Sequence, residues 1–376
     1  MPDLQELRKQ IDEIDDAMVA LFEKRMSIAE QVAKYKIETG KPVFDEAREQ
    51  EKLQSLGEKT HTSFNCCGIQ QLYQQIMSIS RKRQYQLLQA YDPKDLAGFT
   101  AVAKLEKKDA RVIYQGVEGA YSHAASMAFF GNEGNCRHVD TWKDAMEAIK
   151  NGSADYAVLP IENSTAGIVQ DNYDLLTQYD HVIVGEQLIP CQHVLMGLPG
   201  TELCEIQDVY SHPQALMQCR DFLNAHPDWN IHPYGNTAKA AKKVAQEQDS
   251  SQAAIASPHA AKYFHLSVLQ EGIYSNPGNS TRFIIVSKQK IYCKDAKKIS
   301  ISFELPHTSG SLYSSLSHLI YNGLNMTKIE SRPVLSQNWE YRFFVDFEGN
   351  LNDSAVKNAL RGLENEVQNL RIHGNY

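Results

Sequence analysis

The first forty residues restrict the possible folds most strongly, because they carry one long and uninterrupted helical pattern. Apolar residues recur at steps of three and four from Leu4 to Val32, and no glycine or proline interrupts them before Gly40. This spacing predicts a single helix that ends near Lys36. A helix of about 34 residues is roughly 50 Å long, more than a small domain can cover, so we expect it to pack against a second chain or to bend.

The pattern changes twice further along the chain, which divides it into three folded regions. Two more helical stretches complete residues 1–90, and residues 91–108 mix proline, glycine and charge as a linker does. Short apolar runs then alternate with helical patterns, which predicts an α/β domain over residues 109–290. From 297 to 376 the order strand, helix, strand, strand, helix, strand is typical of a ferredoxin-like α+β domain.

The composition of the 376 residues excludes several classes of protein. No apolar run is long enough to cross a bilayer and the amino terminus is charged, so we expect a soluble, unexported protein. The net charge of −8 lacks the basic surplus of a nucleic-acid binder, and seven cysteines without a C-x-x-C pair indicate a reducing cytoplasm. The absence of a G-x-G-x-x-G motif argues against a nicotinamide-linked dehydrogenase, and neither a cofactor nor a metal site is predicted.

The helical region carries cations at positions that suit a small dianion. Arg25 and Lys36 are eleven residues apart and therefore fall on nearly the same helix face. Arg8 lies roughly 25 Å from Arg25 along the helix, so it reaches the same pocket only from a partner subunit. Taken singly, each of these residues is an ordinary charge on a solvated helix face, and only their joint pattern indicates a site.

Residues 4–90 resemble the all-helical, AroQ-type chorismate mutases, through LRKQIDEIDDAMVALFEKR followed by KYK and DEAREQE. The resemblance implies a chorismate pocket lined by Arg8 of the neighbouring subunit and by Arg25, Lys36, Asp45, Arg48, Glu49, Ser80 and Gln84. Chorismate rearranges to prephenate without a nucleophile, so the pocket needs cations for two carboxylates and donors for the ether oxygen. We expect Lys36 and Gln84 to supply those donors, and Glu49 is counted with them as catalytic.

Polar side chains follow several predicted strands of the α/β region. They are Glu162, Asn163 and Ser164 in PIENST, Ser211, Gln214 and Gln218 in SHPQALMQ, Thr237 in NTAKAA, and Thr281 and Arg282 in NSTRF. Ligands of α/β folds bind at strand ends, which favours a site here. A polar turn, a helix cap and an ordinary strand entrance explain the same stretches one at a time.

Residues 111–287 resemble the prephenate dehydratases through the PIEN, SHPQ and TRF motifs. That family has a bilobal fold, like type II periplasmic binding proteins, with the active site between the lobes. The resemblance implies that Thr281 is the catalytic donor, that Asn163, Ser211 and Gln218 position the substrate, and that Glu162, Ser164, Gln214, Thr237 and Arg282 lie close by. Prephenate becomes aromatic as it loses carbon dioxide and water, so one hydrogen-bond donor to the leaving hydroxyl suffices. Arg282 either strengthens that donor or binds a carboxylate.

Residues 297–376 resemble an ACT domain, a small amino-acid sensor. The ESRP stretch matches a motif that frames the phenylalanine site in that family, whereas SGSLY departs from the usual Gly-Ala-Leu-Val. The resemblance implies feedback inhibition by L-phenylalanine through Gly310, Ser311, Leu312, Glu330, Ser331, Arg332 and Pro333. A pure dimerisation module is the alternative.

The three resemblances predict a cytoplasmic, homodimeric or larger enzyme of phenylalanine biosynthesis that acts on chorismate and prephenate, without nucleic-acid or membrane partners. A mutase joined to a prephenate dehydrogenase is one alternative, which the missing dinucleotide motif opposes. A non-catalytic amino-acid-sensing regulator is another, which the cationic helical pocket opposes because a sensor gains nothing from a separate dianion site.

Overall fold

The computed structural model describes residues 3–91, 98–131, 134–334 and 340–376. The chain divides into two compact units, and each is described separately. The first unit contains Met1–Gly98 and Lys297–Ile372, and the second contains Phe99–Ala296 and His373–Tyr376. No helix within the described ranges is both long enough and apolar enough to cross a membrane.

The elements are numbered in chain order. The helices α1 (Leu4–Thr39), α2 (Glu46–Gly57) and α3 (Ser63–Tyr91) come first. The middle of the chain forms β1 (Thr100–Val102), β2 (Arg111–Gln115), α4 (Tyr121–Phe130), β3 (Asn135–Val139), α5 (Trp142–Lys150), β4 (Tyr156–Asn163), β5 (Gly167–Ile168), α6 (Gln170–Gln178), β6 (Val182–Pro190), β7 (Val194–Gly197), β8 (Asp208–Ser211), α7 (Pro213–Gln218), α8 (Arg220–Asn224), β9 (Asn230–Pro233), α9 (Thr237–Glu247), β10 (Gln252–Ala256), α10 (Pro258–Phe264), β11 (Ser267–Gln270), β12 (Ser280–Ser287) and β13 (Ile291–Cys293). The chain ends with β14 (Lys298–Leu305), α11 (Ser311–Tyr321), β15 (Met326–Pro333), β16 (Tyr341–Glu348), α12 (Ser354–Glu366) and β17 (Gln368–Asn375).

Helix α1 is continuous from its first residue to its last. Asp3 caps the helix by accepting from Gln5 N, and Gly40 ends it in the left-handed conformation with φ of 67°. The amino-terminal apolar residues of α1 are not covered by its own chain: Ile11, Ile14 and Leu21 are 56%, 60% and 67% exposed. The prediction of one long helix is therefore right. The apolar face of α1, which was expected to pack against other residues, is exposed to solvent in a single chain.

In the first unit, the carboxyl-terminal strands form a sheet in the order β15-β16-β14-β17, and α3 packs against α11 and α12. Helices α11 and α12 approach each other closely at Gly362, where an added Cβ would lie 2.3 Å from His318 Nδ1. Only glycine fits at this position, so the ring of His318 lies against the backbone of α12.

Two groups of paired strands define two lobes in the second unit. One group has the order β6-β12-β4-β2-β3, with β5 paired to β4, and the other is a five-stranded sheet with the order β11-β7-β10-β8-β9. The chain passes from the first lobe to the second after β6 and returns before β12, which makes the unit bilobal. Buried apolar side chains fill each lobe, for example Val158 and Ile285 in the first and Leu195 and Ile255 in the second. This topology leaves a cleft between the lobes.

The predicted linker is partly structured. Residues 92–97 lie outside the described ranges, but Thr100–Val102 form β1, which pairs in parallel with β13. The short apolar stretch around Ala101 gave no periodic signal because a three-residue strand is shorter than one period of any pattern. The second half of the linker therefore belongs to the second unit.

Candidate active sites

Several of the predicted helical-pocket residues lie together between α1, α2 and α3. Arg25 donates to Ser80 Oγ, and Lys36 Nζ donates to the carbonyl oxygen of Val43 at 2.6 Å. Burial lowers the pKa of Lys36, while Asp45 and Glu49 lie close enough to oppose that change. Burial likewise lowers the pKa of Arg25. Partly dehydrated cations of this kind gain from an anionic ligand.

Gln84 is buried beside this cluster, and its Oε1 has no hydrogen-bond partner among the described residues. A buried amide oxygen without a partner is costly, and a ligand group that donates a hydrogen bond, such as a hydroxyl, would satisfy it. One carboxylate oxygen of Asp45 already has a partner, because it caps α2 by accepting from Arg48 N at 3.1 Å. Arg8 and Arg48 are exposed, and Arg48 pairs with Glu51. No described hydrogen bond or ion pair joins either side chain to Arg25, Lys36 or Gln84.

The interlobe cleft has a volume of about 600 Å³ and contains the pair Thr281 and Asn163, which stand opposite each other on β12 and β4. Asn163 Oδ1 accepts from the backbone N–H groups of Thr165 and Ala166, at 3.0 and 2.9 Å. These two bonds fix the orientation of the amide, so its Nδ2 donates to Thr281 Oγ1 at 2.9 Å. Thr281 Oγ1 is thus an acceptor towards Asn163, and its own hydrogen is left for another partner.

Cys191 is a third member of this group that the sequence did not indicate. Its Sγ lies 3.1 Å from Thr281 Oγ1 and 3.6 Å from Asn163 Nδ2. Burial raises the pKa of the Cys191 thiol. The thiol therefore stays protonated at neutral pH and forms a hydrogen bond with the Thr281 hydroxyl.

Gln218 lies at the cleft within a chain of hydrogen bonds. His193 Nε2 is 2.8 Å from Gln218 Oε1, and His193 Nδ1 is 2.9 Å from the Tyr121 hydroxyl. Burial lowers the pKa of His193 and raises that of Tyr121. A neutral imidazole then donates to Gln218 Oε1 and accepts from Tyr121, which leaves the Gln218 amide N–H groups for a ligand.

The wall of the cleft is nearly free of ionised groups. Among the described residues that line it, Lys239 is the single lysine or arginine, and none is aspartate or glutamate. Gln214 and Thr237 line the same cleft, as predicted. The site therefore offers hydroxyls, amides and one ammonium group, which suits an anionic ligand and provides no carboxylic acid as a proton donor.

Four residues that were predicted at or beside this site do not line the cleft: Glu162, Ser164, Ser211 and Arg282. Arg282 follows Thr281 on the same strand and projects from the opposite face, where it lies 3.4 Å from Glu186 and 3.9 Å from Glu162. Ser211 is fully buried and donates to the carbonyl oxygen of Ile255. Ser164 accepts from Ser280 N at 3.0 Å. These four side chains support the strands around the cleft.

Most of the cleft residues that were not predicted lie in stretches of sequence without a recognisable motif. Tyr121 and His193 come together from α4 and from the loop after β6, 72 residues apart. Cys191 looked like any buried cysteine. Lys239 had a weak signal, since it is a cation in the first turn of the helix that Thr237 begins.

Comparisons with known proteins match a family to each of the two regions that carry these candidate sites. A family model of chorismate mutase type II matches residues 7–85, and one of prephenate dehydratase matches residues 112–291. A bifunctional chorismate mutase/prephenate dehydratase of Enterobacter agglomerans is 33% identical over 98% of this chain and 95% of its own length. The protein of the same description from Aquifex aeolicus (strain VF5) is 32% identical over 100% and 98%. The crystal structure of a prephenate dehydratase from Arthrobacter aurescens in complex with L-Phe has 34% identity and a TM-score of 0.65, over 71% of this chain and 89% of that one.

The lowered pKa of His193 predicts a pH-dependent contribution to stability. As the pH falls through the ordinary histidine range near 6.5, the unfolded chain binds a proton that the folded state does not, so stability is lost by at most ~1.4 kcal/mol per pH unit. We expect urea unfolding at pH 7.5, 6.5 and 5.5 to show that the advantage of wild type over His193→Gln shrinks as the pH falls. The exposed His61→Gln variant is the control. A constant advantage for the buried position would contradict the neutral imidazole.

Proposed function

The chain belongs to the family of bifunctional chorismate mutase/prephenate dehydratases, and from this premise we propose how its residues divide the two reactions. It rearranges chorismate to prephenate and converts prephenate to phenylpyruvate, as an enzyme of phenylalanine biosynthesis. The dehydratase match over residues 112–291 disfavours both a dehydrogenase and a non-catalytic regulator. The observation that carries the assignment of residues is the Thr281–Asn163 pair, which lines a cleft without acidic side chains among its described residues.

The helical pocket carries out the mutase reaction by holding chorismate in its compact conformer. Arg25 complements a substrate carboxylate, and its partly dehydrated state supports this role. Lys36 and Gln84 donate to the ether oxygen as negative charge develops there, and the burial of Gln84 makes such a bond strong. Glu49 accepts from the substrate hydroxyl, since an ionised carboxylate only accepts. Asp45, Arg48 and Ser80 complete the pocket.

The interlobe cleft carries out the dehydratase reaction with Thr281 as the donor to the leaving hydroxyl. Asn163 donates to Thr281 Oγ1, and the protonated Cys191 thiol donates to the same oxygen, which makes the Thr281 hydrogen available for the substrate. The carboxylate leaves as carbon dioxide, its electron pair makes the ring aromatic, and hydroxide departs from the ring. The departing hydroxide is stabilised by Thr281 and becomes water with a proton from solvent. Gln218 and Lys239 hold the substrate, with the ammonium group of Lys239 facing a carboxylate.

Feeding chorismate to the purified protein tests this division. We expect wild type to release phenylpyruvate and Thr281→Ala to accumulate prephenate, with dehydratase turnover reduced by about 10²–10³-fold as for the loss of one oxyanion donor. Thr281→Ser retains a hydroxyl and keeps part of the activity. Mutase turnover stays within about twofold in both variants, because the mutase pocket is a separate site. Prephenate that accumulates in wild type would contradict the proposal.

We also propose that the mutase pocket is shared between two copies of this chain. The exposed apolar face of α1 supports this, since Ile11, Ile14 and Met18 are between 47% and 60% exposed on one chain. A second α1 packed against that face would cover these residues and bring its Arg8 towards a pocket that lacks it.

A subunit-complementation experiment tests the shared pocket. Arg8→Ala and Gln84→Ala each remove one essential group, so we expect each variant alone to have little mutase activity. When the two variants are co-expressed with different tags and the hybrid is purified, one pocket of the pair receives both wild-type residues, and turnover returns to about half of wild type. A hybrid no more active than its parents would show that Arg8 does not act across the interface.

The carboxyl-terminal segment is proposed to be a ferredoxin-like ACT domain that binds L-phenylalanine. Its element order, β14-α11-β15-β16-α12-β17, supports the assignment. Gly310 adopts φ of 82° directly before α11, and the ESRP stretch occupies the end of β15. The residues between β15 and β16 include 335–339, which lie outside the described ranges. The relative in complex with L-Phe supports the ligand.

Two glycine variants test this regulatory site. Gly310 and Gly323 flank α11, both have positive φ, and an added Cβ at either would meet nothing within 4 Å. Alanine therefore strains both turns without a clash, but only Gly310→Ala disturbs the predicted phenylalanine motif. We expect L-phenylalanine to inhibit wild type and Gly323→Ala alike and Gly310→Ala several-fold more weakly, as measured by phenylpyruvate release. An absence of inhibition in wild type would contradict the ACT assignment.

The enzyme is proposed to work in the cytoplasm. All seven cysteines are free, which fits a reducing compartment. Cell fractionation followed by mutase assays checks this location, and activity found only outside the cytoplasmic fraction would overturn it.

A further inference from the structure

Arg81 lies between two carboxylates that come from opposite ends of the chain. It donates to Glu49 on α2 and, through Nε and Nη2, to both carboxylate oxygens of Glu366 on α12, at 2.7 and 3.4 Å. All three residues belong to the first unit. Glu49 is a predicted catalytic residue of the mutase pocket, whereas Arg81 and Glu366 belong to no motif of the sequence.

Arg81 and Glu366 are buried and the Glu49 side chain is 22% exposed, which makes the pairing of these charges strong. The side chains of Arg81 and Glu366 are 8% and 6% exposed, and the guanidinium also lies 4.8 Å from the centre of the Phe44 ring. Burial disfavours the charge of Arg81, but Glu366 and Glu49 more than compensate and raise its pKa. A buried guanidinium that loses one of its two partners leaves the other charge poorly compensated.

The contact with Arg81 restricts the orientation of the Glu49 carboxylate in the pocket. Arg81 Nη1 binds Glu49 Oε2, which leaves Oε1 as the oxygen for a ligand. The same Glu49 carboxylate lies close enough to Arg25 and Lys36 to stabilise their charges. A shift of Arg81 would therefore turn the Glu49 carboxylate away from the other pocket groups.

We propose that Arg81 is a positioning residue of the mutase, which orients Glu49, and that Glu366 makes this orientation depend on the carboxyl-terminal segment. The inference rests on the proposed function of the helical pocket. It concerns Arg81 and Glu366, which no resemblance or comparison assigns to either reaction.

Glu366 is itself held firmly, so it can fix the position of Arg81. His318 Nε2 on α11 lies 3.1 Å from Glu366 Oε2, and the His318 ring is confined by the close approach to Gly362. Burial disfavours the charge of Glu366, but contacts with His318 and Arg81 lower its pKa. A movement of α11 relative to α12 would therefore reach Glu49 through two ion pairs.

Lys82 provides a matched control at the same interface. It follows Arg81 on α3 and donates to Ser317 Oγ on α11 at 2.9 Å, while its ammonium lies 3.8 Å from the centre of the Tyr321 ring. It is as buried as Arg81, but it makes no contact with Glu49 among the described interactions. The Lys82 charge lies close enough to Glu366 and Arg81 to interact with both, but its hydrogen bonds go to Ser78 and Ser317. Replacing Lys82 therefore loosens the α3–α11 contact and leaves the hydrogen bonds from Arg81 to Glu49 and Glu366 in place.

The test compares mutase and dehydratase kinetics in the full chain. We expect Arg81→Met to lower the mutase kcat/KM by about 10- to 100-fold and Glu366→Gln to lower it by a smaller factor, because a slightly misplaced group costs that much. Dehydratase turnover with prephenate as substrate stays within about twofold in both variants, and so does mutase turnover in Lys82→Met.

A double variant separates positioning from general damage. If Arg81 acts through Glu49, Glu49→Gln with Arg81→Met is no slower than Glu49→Gln alone, within about twofold. Wild-type mutase activity in Arg81→Met, equal losses in Lys82→Met, or additive losses in the double variant would each overturn the inference.

An activity-independent measurement distinguishes failure of this inference from failure of the proposed function. We expect the urea midpoint of the Arg81→Met/Glu366→Gln double variant to shift by less than the sum of the shifts of the two single variants. Either single substitution already breaks the Arg81–Glu366 pair, so the second adds little. Additive shifts would overturn the link itself. A wild-type chain that makes no prephenate from chorismate would instead refute the proposed function.

Discussion

The register between β12 and β4 is the constraint on which the second unit depends. Strand β12 is antiparallel to both β4 and β6, and Phe283 to Val286 are buried between them. This burial fixes the strand, because a slip of one residue would exchange its two faces. A β-bulge between Arg282 and Phe283 separates the core pairs from the Thr281–Asn163 pair. Bulges near active sites re-aim side chains, and here the strand changes from core to cleft at that point.

Both proposed sites have to bind dianions in a protein whose own net charge is −8. The helical pocket attracts an anion with a cluster of partly buried cations, and the Glu49 carboxylate offsets part of the repulsion between them. The cleft meets it with neutral donors whose directions are set by neighbouring hydrogen bonds, as Asn163 illustrates. The first solution suits a rearrangement in which charge only shifts, and the second suits a reaction in which a hydroxyl must depart.

Sequence could predict the parts of the fold and site that have local patterns. The long helix follows from its periodicity, and Thr281, Asn163 and Gln218 follow from short motifs. The opposite orientation of Arg282 was also predictable, since adjacent residues of a strand project from opposite faces. Contacts across long sequence separations could not be predicted, as for Arg81 and Glu366, which are 285 residues apart. Cys191 was missed because its role comes only from its position beside Thr281.

If two chains share the mutase pocket as proposed, the uncovered face of α1 links catalysis to the amount of protein present. Such a pocket exists only while the two chains are associated, so its activity would fall when the protein is diluted below its dissociation constant. The interlobe cleft is built within a single chain and does not dilute away. Scarce enzyme would then consume prephenate faster than it makes it, and abundant enzyme would do both. The ratio of the two activities becomes a measure of how much of the protein a cell contains.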